Sequence, residues 1–240
     1  MSEEKWTMHG LADDDPRRLK SAEELARYIR EVGFLPLFRN GIAGFSVEEN
    51  VSDRYWWSDD PERDPWYWRI LLCSRDEIAY GKFFDGKAGF VHRDWFPFFA
   101  CMRRDGYDFD ARADEGLAKR NECRIMEAFS EDREILSAEL RRRTAIKSFE
   151  SAVSALEEKT YLITAALRQK INQKGQPYGW HVGVYTTPEH KWGEAFVTSA
   201  YCAGTAACTE KVVQKIRGCF PNAPRSEVQK LIIGYRRMMV

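Results

Sequence analysis

At 240 residues and 44% apolar content, the chain can bury a substantial core, as one large domain or several small ones. Its 37 Lys/Arg offset 37 Asp/Glu, which argues against a generic polyanion binder. No apolar run approaches the ~20 residues a bilayer crossing needs.

The stretch Met1-Ser2-Glu3-Glu4-Lys5 lacks the apolar core of a secretion signal, so a cytoplasmic location is expected. Residues Leu19 to Glu31 read as a helix: Ser21 precedes Glu23 and Glu24, Leu25, Tyr28, Ile29 and Val32 form an apolar face, and Gly33 stops it. Phe34-Leu35-Pro36-Leu37-Phe38 is apolar, but Pro36 favours a turn or a sheet edge over a continued helix. Asn40-Gly41 and Ala43-Gly44 mark loops. Two aromatic clusters, Tyr55-Trp56-Trp57 and Trp66-Tyr67-Trp68, flank an acidic, turn-prone linker from Asp59 to Pro65. A helix is expected over Trp66 to Leu72, entered through Asp64 with Pro65 at its first position. Ile78 to Phe84 and Lys87 to Val91 read as two strands turning at Asp85-Gly86. The tryptophans fit core and interface packing, and a base-stacking shelf is the sharper alternative. Asp108 and Asp110 would share one face if that piece were extended, and acidic loops of this kind are usually solvated.

From Cys123 to Tyr185 the order is helix, helix, helix, strand, turn, strand, the order of a winged helix-turn-helix. Ile125, Met126 and Phe129 have helical spacing; Ser137 is placed to cap a second short helix, and Arg141-Arg142-Arg143-Thr144 reads as the turn after it. Phe149, Val153 and Leu156 form the buried stripe of the third helix. Strands are expected over Thr160 to Thr164 and Trp180 to Tyr185, with a hairpin tip at residues 172–176.

Charge adds a partner. Residues 1–116 carry 17 Lys/Arg against 24 Asp/Glu, and residues 117–240 carry 20 against 13. Arg141, Arg142, Arg143, Lys147, Arg168, Lys170 and Lys174 surround the third helix and the hairpin, the positive rim that phosphate contacts require. A solvated charged turn beside an ordinary hairpin is the plainer account. Ser148 and Ser151 lie on the helix face expected to meet bases, and that face has no Arg or Asn for a bidentate contact, so weak or shape-based duplex recognition is expected.

Beyond this unit the expectations are thinner. Trp192 to Tyr201 finishes the sheet or leads away from it; Thr209 to Phe220, capped by Thr209, and Ser226 to Met239 read as helices. Arg236 and Arg237 would complement the dipole of the last helix. Those two helices either close the fold or pair with a second copy. The six cysteines (Cys73, Cys101, Cys123, Cys202, Cys208, Cys219) include no C-x-x-C pair, so free thiols are expected, and Cys202 and Cys208 with His181 or His190 make a poor zinc set. His181, between Trp180 and Val182, reads as structural. There is no G-x-S-x-G elbow, phosphate loop or dinucleotide fingerprint. No cofactor or metal is implied.

Gly33 to Phe38, the block Phe83 to Val91, then Asp94 to Phe99 and Met102-Arg103-Arg104, followed by the helix-hairpin unit, resemble the AlkZ/YcaQ group of bacterial DNA glycosylases, and more closely its shorter AlkZ-related members. The resemblance runs over residues 19 to 186 and implies tandem winged helices and a role in DNA repair. It departs at the chemistry: where the group places Gln-aliphatic-Gln or Gln-aliphatic-Asp to activate water, this chain has Pro36-Leu37-Phe38, and neither Pro36 nor Phe38 can act as a base. The group's aromatic-x-His block appears here as Asp85-Gly86-Lys87; Asp85 and Lys87 are weak catalytic candidates, and a tight turn is the simpler account.

The expectation is therefore an α+β protein: an aromatic-rich helix/hairpin module over residues 1–116, a winged helix over 117–188, and C-terminal elements over 189–240. It is expected to bind duplex DNA without turnover. A glycosylase with replaced catalytic residues and a protein-interaction module that has lost DNA binding are the alternatives.

Overall fold

The computed structural model describes residues 7–172 and 174–233. Helix α1 (Ala22–Val32) starts where the Ser21 hydroxyl accepts the Glu24 N–H at 3.2 Å, and it ends at Gly33, whose φ of 83° lets its N–H reach back to Ile29 O. A side chain at Gly33 would also strike the Trp95 ring, so the stop leaves no room for a Cβ. The chain then enters the short strand β1 (Phe34–Pro36). Helix α2 (Val47–Asn50) is a single turn, and α3 (Pro65–Cys73) has Asp64 as its cap and Pro65 in its first turn, as predicted.

Strands β2 (Ile78–Phe84) and β3 (Lys87–His92) turn through Asp85 and Gly86, both with positive φ (53° and 73°), the geometry of a tight hairpin. The sheet order β1-β3-β2 leaves Pro36 on an edge, where its missing N–H costs no ladder bond. Helices α4 (Phe96–Arg104) and α5 (Phe109–Asp114) follow. Asp108 is not part of an extended segment: its carboxylate caps α5 by accepting the Ala111 N–H at 2.7 Å.

The next elements are α6 (Arg120–Glu127), β4 (Ile135–Leu136), α7 (Ser137–Thr144), α8 (Phe149–Glu158), β5 (Ile163–Ile171) and β6 (Pro177–Thr186), with sheet order β4-β6-β5. Three local expectations are corrected here. Arg141-Arg142-Arg143-Thr144 is the last part of α7 rather than a turn, because good helix formers carry the helix on until Ala145 takes a left-handed φ of 46°. Ser137 lies inside that helix and makes no capping bond; Leu136 holds the cap position. Thr160, at φ 65°, closes α8, so the strand begins only at Ile163.

After Thr187 the chain does not extend the sheet: it forms α9 (Pro188–Trp192) and α10 (Glu194–Val197). Helix α11 (Thr205–Cys219) starts before Thr209, whose hydroxyl donates to Thr205 O within the helix instead of capping it. Helix α12 covers Arg225–Ile233, and the rest of the expected helix, with Tyr235, Arg236 and Arg237, lies outside the described residues.

Two apolar clusters organise these elements. One joins α1, the β1–β3 sheet and α4 to Val212, Val213 and Ile216 of α11 and Val228 and Ile232 of α12. The last helices thus help to complete the N-terminal core. The other cluster is local to α6–α8, with Ile135 of β4 and with Tyr161 and Leu162 just before β5, and Phe149, Val153 and Leu156 are its predicted stripe. No described helix is long and apolar enough to cross a membrane.

Candidate nucleic-acid interface

The cations predicted to form a phosphate rim fall into two sets with different surroundings. In the first, on α7, each arginine has a carboxylate: Arg141 pairs with Glu150, Arg143 with Asp132 and Glu139, and Arg142 stands 3.9 Å from Glu139. Hydrogen bonds donated to Asp132 and Glu139 raise the Arg143 pKa, the signature of a charge already answered locally. Arg141 also lies over the Phe149 ring, 4.6 Å from its centroid. Counterion release from such arginines is reduced, because an intramolecular acid competes with phosphate.

The second set lies on the hairpin β5–β6 and at the entry to α8. Arg168 is 3.8 Å from Glu134, with both groups well exposed, so that contact is weak and screened. Lys147, Lys170 and Lys174 are exposed, and none has a carboxylate within ion-pair distance among the described residues. Lys170 sits opposite Tyr178 in the ladder, so the two side chains leave the same hairpin face. The hairpin is buried at its base and exposed over its outer half, where Ile171, Tyr178 and Trp180 are open to solvent.

Helix α8 divides in the same way. Ser148 and Ser151 are exposed at its N-terminal end, and Ser148 accepts a hydrogen bond from Asn121 at 3.0 Å. Its C-terminal half lies under the β2–β3 hairpin. Lys82 Nζ donates to Ser154 Oγ at 2.9 Å, a Cβ on Gly81 would come within 3.3 Å of Glu157, and one on Gly86 within 3.3 Å of Glu158. Glu157 is buried there, accepts from Thr164 Oγ1 at 3.2 Å, and is pushed up to about 7 by burial. A helix covered over half its length cannot lie along a major groove with all its outer residues available.

The segment Pro36-Leu37-Phe38, which the resemblance sets against the glycosylases' water-activating motif, forms an apolar seam. Pro36 and Leu37 are buried, Leu37 N–H donates to Ala88 O at 2.9 Å, and Phe38 stacks on Trp56 at 6.0 Å. The nearby Glu48 carboxylate is occupied by the backbone N–H groups of His9 and Arg39, at 3.0 and 2.9 Å. Asp85 and Lys87 are exposed and border a depression of about 170 Å³ together with Asn40, Glu227 and Lys230. A larger cleft, about 560 Å³, is lined by Asp108, Asp110, Glu127, Glu189 and Glu194, a set that repels phosphate. No group of three or more His, Cys, Asp or Glu among the described residues is arranged to hold a metal ion.

One residue beside the hairpin lies outside the set that the sequence predicts. Arg69, one helical turn after Trp66, is buried between α3 and the hairpin, with its guanidinium carbon 3.6 Å from the Trp66 ring centroid. The i, i+3 spacing of Trp66 and Arg69 on a predicted helix was the available signal.

No curated protein matches the chain. A solved structure, the Streptomyces sahachiroi DNA glycosylase AlkZ, is similar at 12% identity and a TM-score of 0.42; the match covers 90% of this chain and 60% of that one, so this chain spans less than two thirds of that enzyme's length. A family model described as AlkZ related matches residues 19–233. With nearly all of its length inside that match, the chain belongs to the AlkZ-related family.

Proposed function

We propose that this protein is a DNA-repair-related, DNA-binding member of its family that engages duplex DNA without glycosylase turnover. In this reading residues 117–188 are a winged helix whose wing is the β5–β6 hairpin, set between an aromatic-rich module (1–116) and C-terminal elements (189–240). The observation that carries it is the exposed outer hairpin, with Lys170 and Lys174 unpaired among the described residues and Arg168 only weakly held. Lys147, Ser148 and Ser151 supply a second contact at the open end of α8. Contact then runs through phosphates, and sequence selectivity is low because the α8 face is half covered. The family name and the printed title of the AlkZ structure support repair as the setting. The apolar Pro36-Leu37-Phe38 seam supports the loss of turnover.

A salt titration of binding to a random duplex tests this. The K170A/K174A double variant is expected to weaken binding and to lower the salt slope by roughly 1 per lost phosphate contact, whereas R141A/R142A changes little. Equal affinities for wild type and K170A/K174A, or no duplex binding at all, would overturn it. Exposed Ile171, Tyr178 and Trp180 favour a second reading, a surface for a protein partner. That reading expects no salt-dependent duplex binding. Incubation with alkylated DNA and a count of abasic sites tests for turnover; their accumulation would refute its loss and return attention to Asp85.

A further inference from the structure

Four tryptophans form an unbroken run of ring contacts from the N-terminal segment to the hairpin. Trp56 and Trp57 are 5.7 Å apart, Trp57 and Trp66 6.0 Å, and Trp66 meets Trp180 edge-on at 6.3 Å. Tryptophans that serve only packing are largely covered, yet Trp57 is 43% exposed and Trp180 69%. Arg69 lies against this run, 6% exposed and stacked on Trp66. Its Nε has no hydrogen-bond partner, and no carboxylate is within ion-pair distance of it among the described residues. Asp64 lies beyond that distance but within electrostatic reach of Arg69, and its Oδ1 accepts from the N–H groups of Trp57 and Trp66. Besides Asp64, Arg69 faces the Tyr80 hydroxyl, to which it donates, the Cys73 thiol and the His181 imidazole; Arg69 holds the His181 pKa down, second to burial.

A buried guanidinium with no carboxylate in contact gains from an anion that reaches it. The open indole beside it supplies a flat apolar surface at the same place. An anion joined to a flat ring is what a nucleotide offers, and only an unpaired base has a free face for stacking. Charge sets the direction of approach. Asp59, Asp60 and Glu62 stand on the Trp57 side, whereas Arg168 and Lys170 stand on the hairpin side.

We propose that the slot formed by Trp66, Arg69 and Trp180 accepts an unpaired nucleotide of a DNA strand, its base stacked on the open face of Trp180 and its phosphate held by Arg69. The proposal rests on the reading of the hairpin as a DNA-contacting element and adds to it a preference for unpaired DNA.

The test uses the full chain and two labelled probes, a single strand of about 15 nucleotides and the duplex of the same sequence, read by anisotropy and tryptophan quenching. Wild type is expected to bind the single strand more tightly than the duplex. Trp180→Ala should weaken single-strand binding about 10-fold, the loss of one base–aromatic stack, while duplex affinity changes less than about 2-fold. Arg69→Gln should reproduce that selective loss, and if it fails to fold, Trp180→Ala decides alone because Trp180 is exposed. Unchanged single-strand binding by Trp180→Ala, or a wild-type preference for the duplex, would overturn the slot and leave the hairpin reading standing. Binding of neither probe would remove both.

Discussion

The two hairpins of this protein are built alike and used differently. The β2–β3 hairpin is tight, turns through two residues, and is buried along nearly all of both strands. One end of it covers α8 through Lys82 and Gly81. The β5–β6 hairpin is longer, carries two register irregularities, and passes from buried at Ile163 to exposed at Ile171. The lesson is that one hairpin spends its side chains on the core, and the other holds cations and aromatic rings out to solvent. The outer half of the β5–β6 hairpin contributes little apolar burial to stability, which fits the contact role proposed for it.

Removing the bonds that tie α4 to Thr160 and α9, outside both hairpins, should give the largest effect. Arg104 is fully buried, donates to Thr160 O at 2.7 Å and to Glu189 at 2.5 Å, and lies over Tyr161. Arg104→Ala leaves these partners unanswered, and urea unfolding should show a loss of about 3–5 kcal/mol. Glu157, between β2 and α8, comes next. Burial raises its folded pKa from 4.5 to about 7, so the folded state holds the extra proton; the contribution of this group to stability is fully present below pH 4.5 and is lost as pH rises from 4.5 to 7, by about 1 kcal/mol per pH unit. Glu157→Gln should flatten that slope, measured by urea unfolding across the same window.

Gly89 tests the buried hairpin alone. A Cβ there would lie 2.4 Å from the Phe84 ring and 2.8 Å from Leu35 O, so Gly89→Ala should cost about 1–3 kcal/mol by thermal or urea unfolding. Lys170→Ala with Lys174→Ala should change stability by less than about 0.5 kcal/mol while reducing duplex binding, which separates contact from folding in the exposed hairpin. If those substitutions destabilise the protein as Gly89→Ala does, the contrast between the hairpins is lost.

Much of this architecture was legible in the residues. Ser21 and Gly33 bound α1, Asp64-Pro65 opens α3, Asp85-Gly86 turns a hairpin, and Phe149, Val153 and Leu156 line the inner face of α8. The misread places are short segments where local signals compete. The arginine run has the look of a turn and is helix, Ser137 has the chemistry of a cap and is not one, and Asp108 caps a helix instead of lying in an extended piece. For the interface, the sequence pointed to seven cations as one rim. It did not reveal that the α7 arginines are answered by Asp132, Glu139 and Glu150.

What the sequence determined by itself was the set of elements and their order, because caps, turns and apolar periods act over a few residues. Only the tertiary structure decided which charges are free and which helix face is covered. Those outcomes depend on partners brought together through space, as Lys82 is to Ser154 across 72 positions of the chain. Arg69 makes the same point: its spacing from Trp66 is written in one helical turn, but the unpartnered state of its Nε is a property of the space around it.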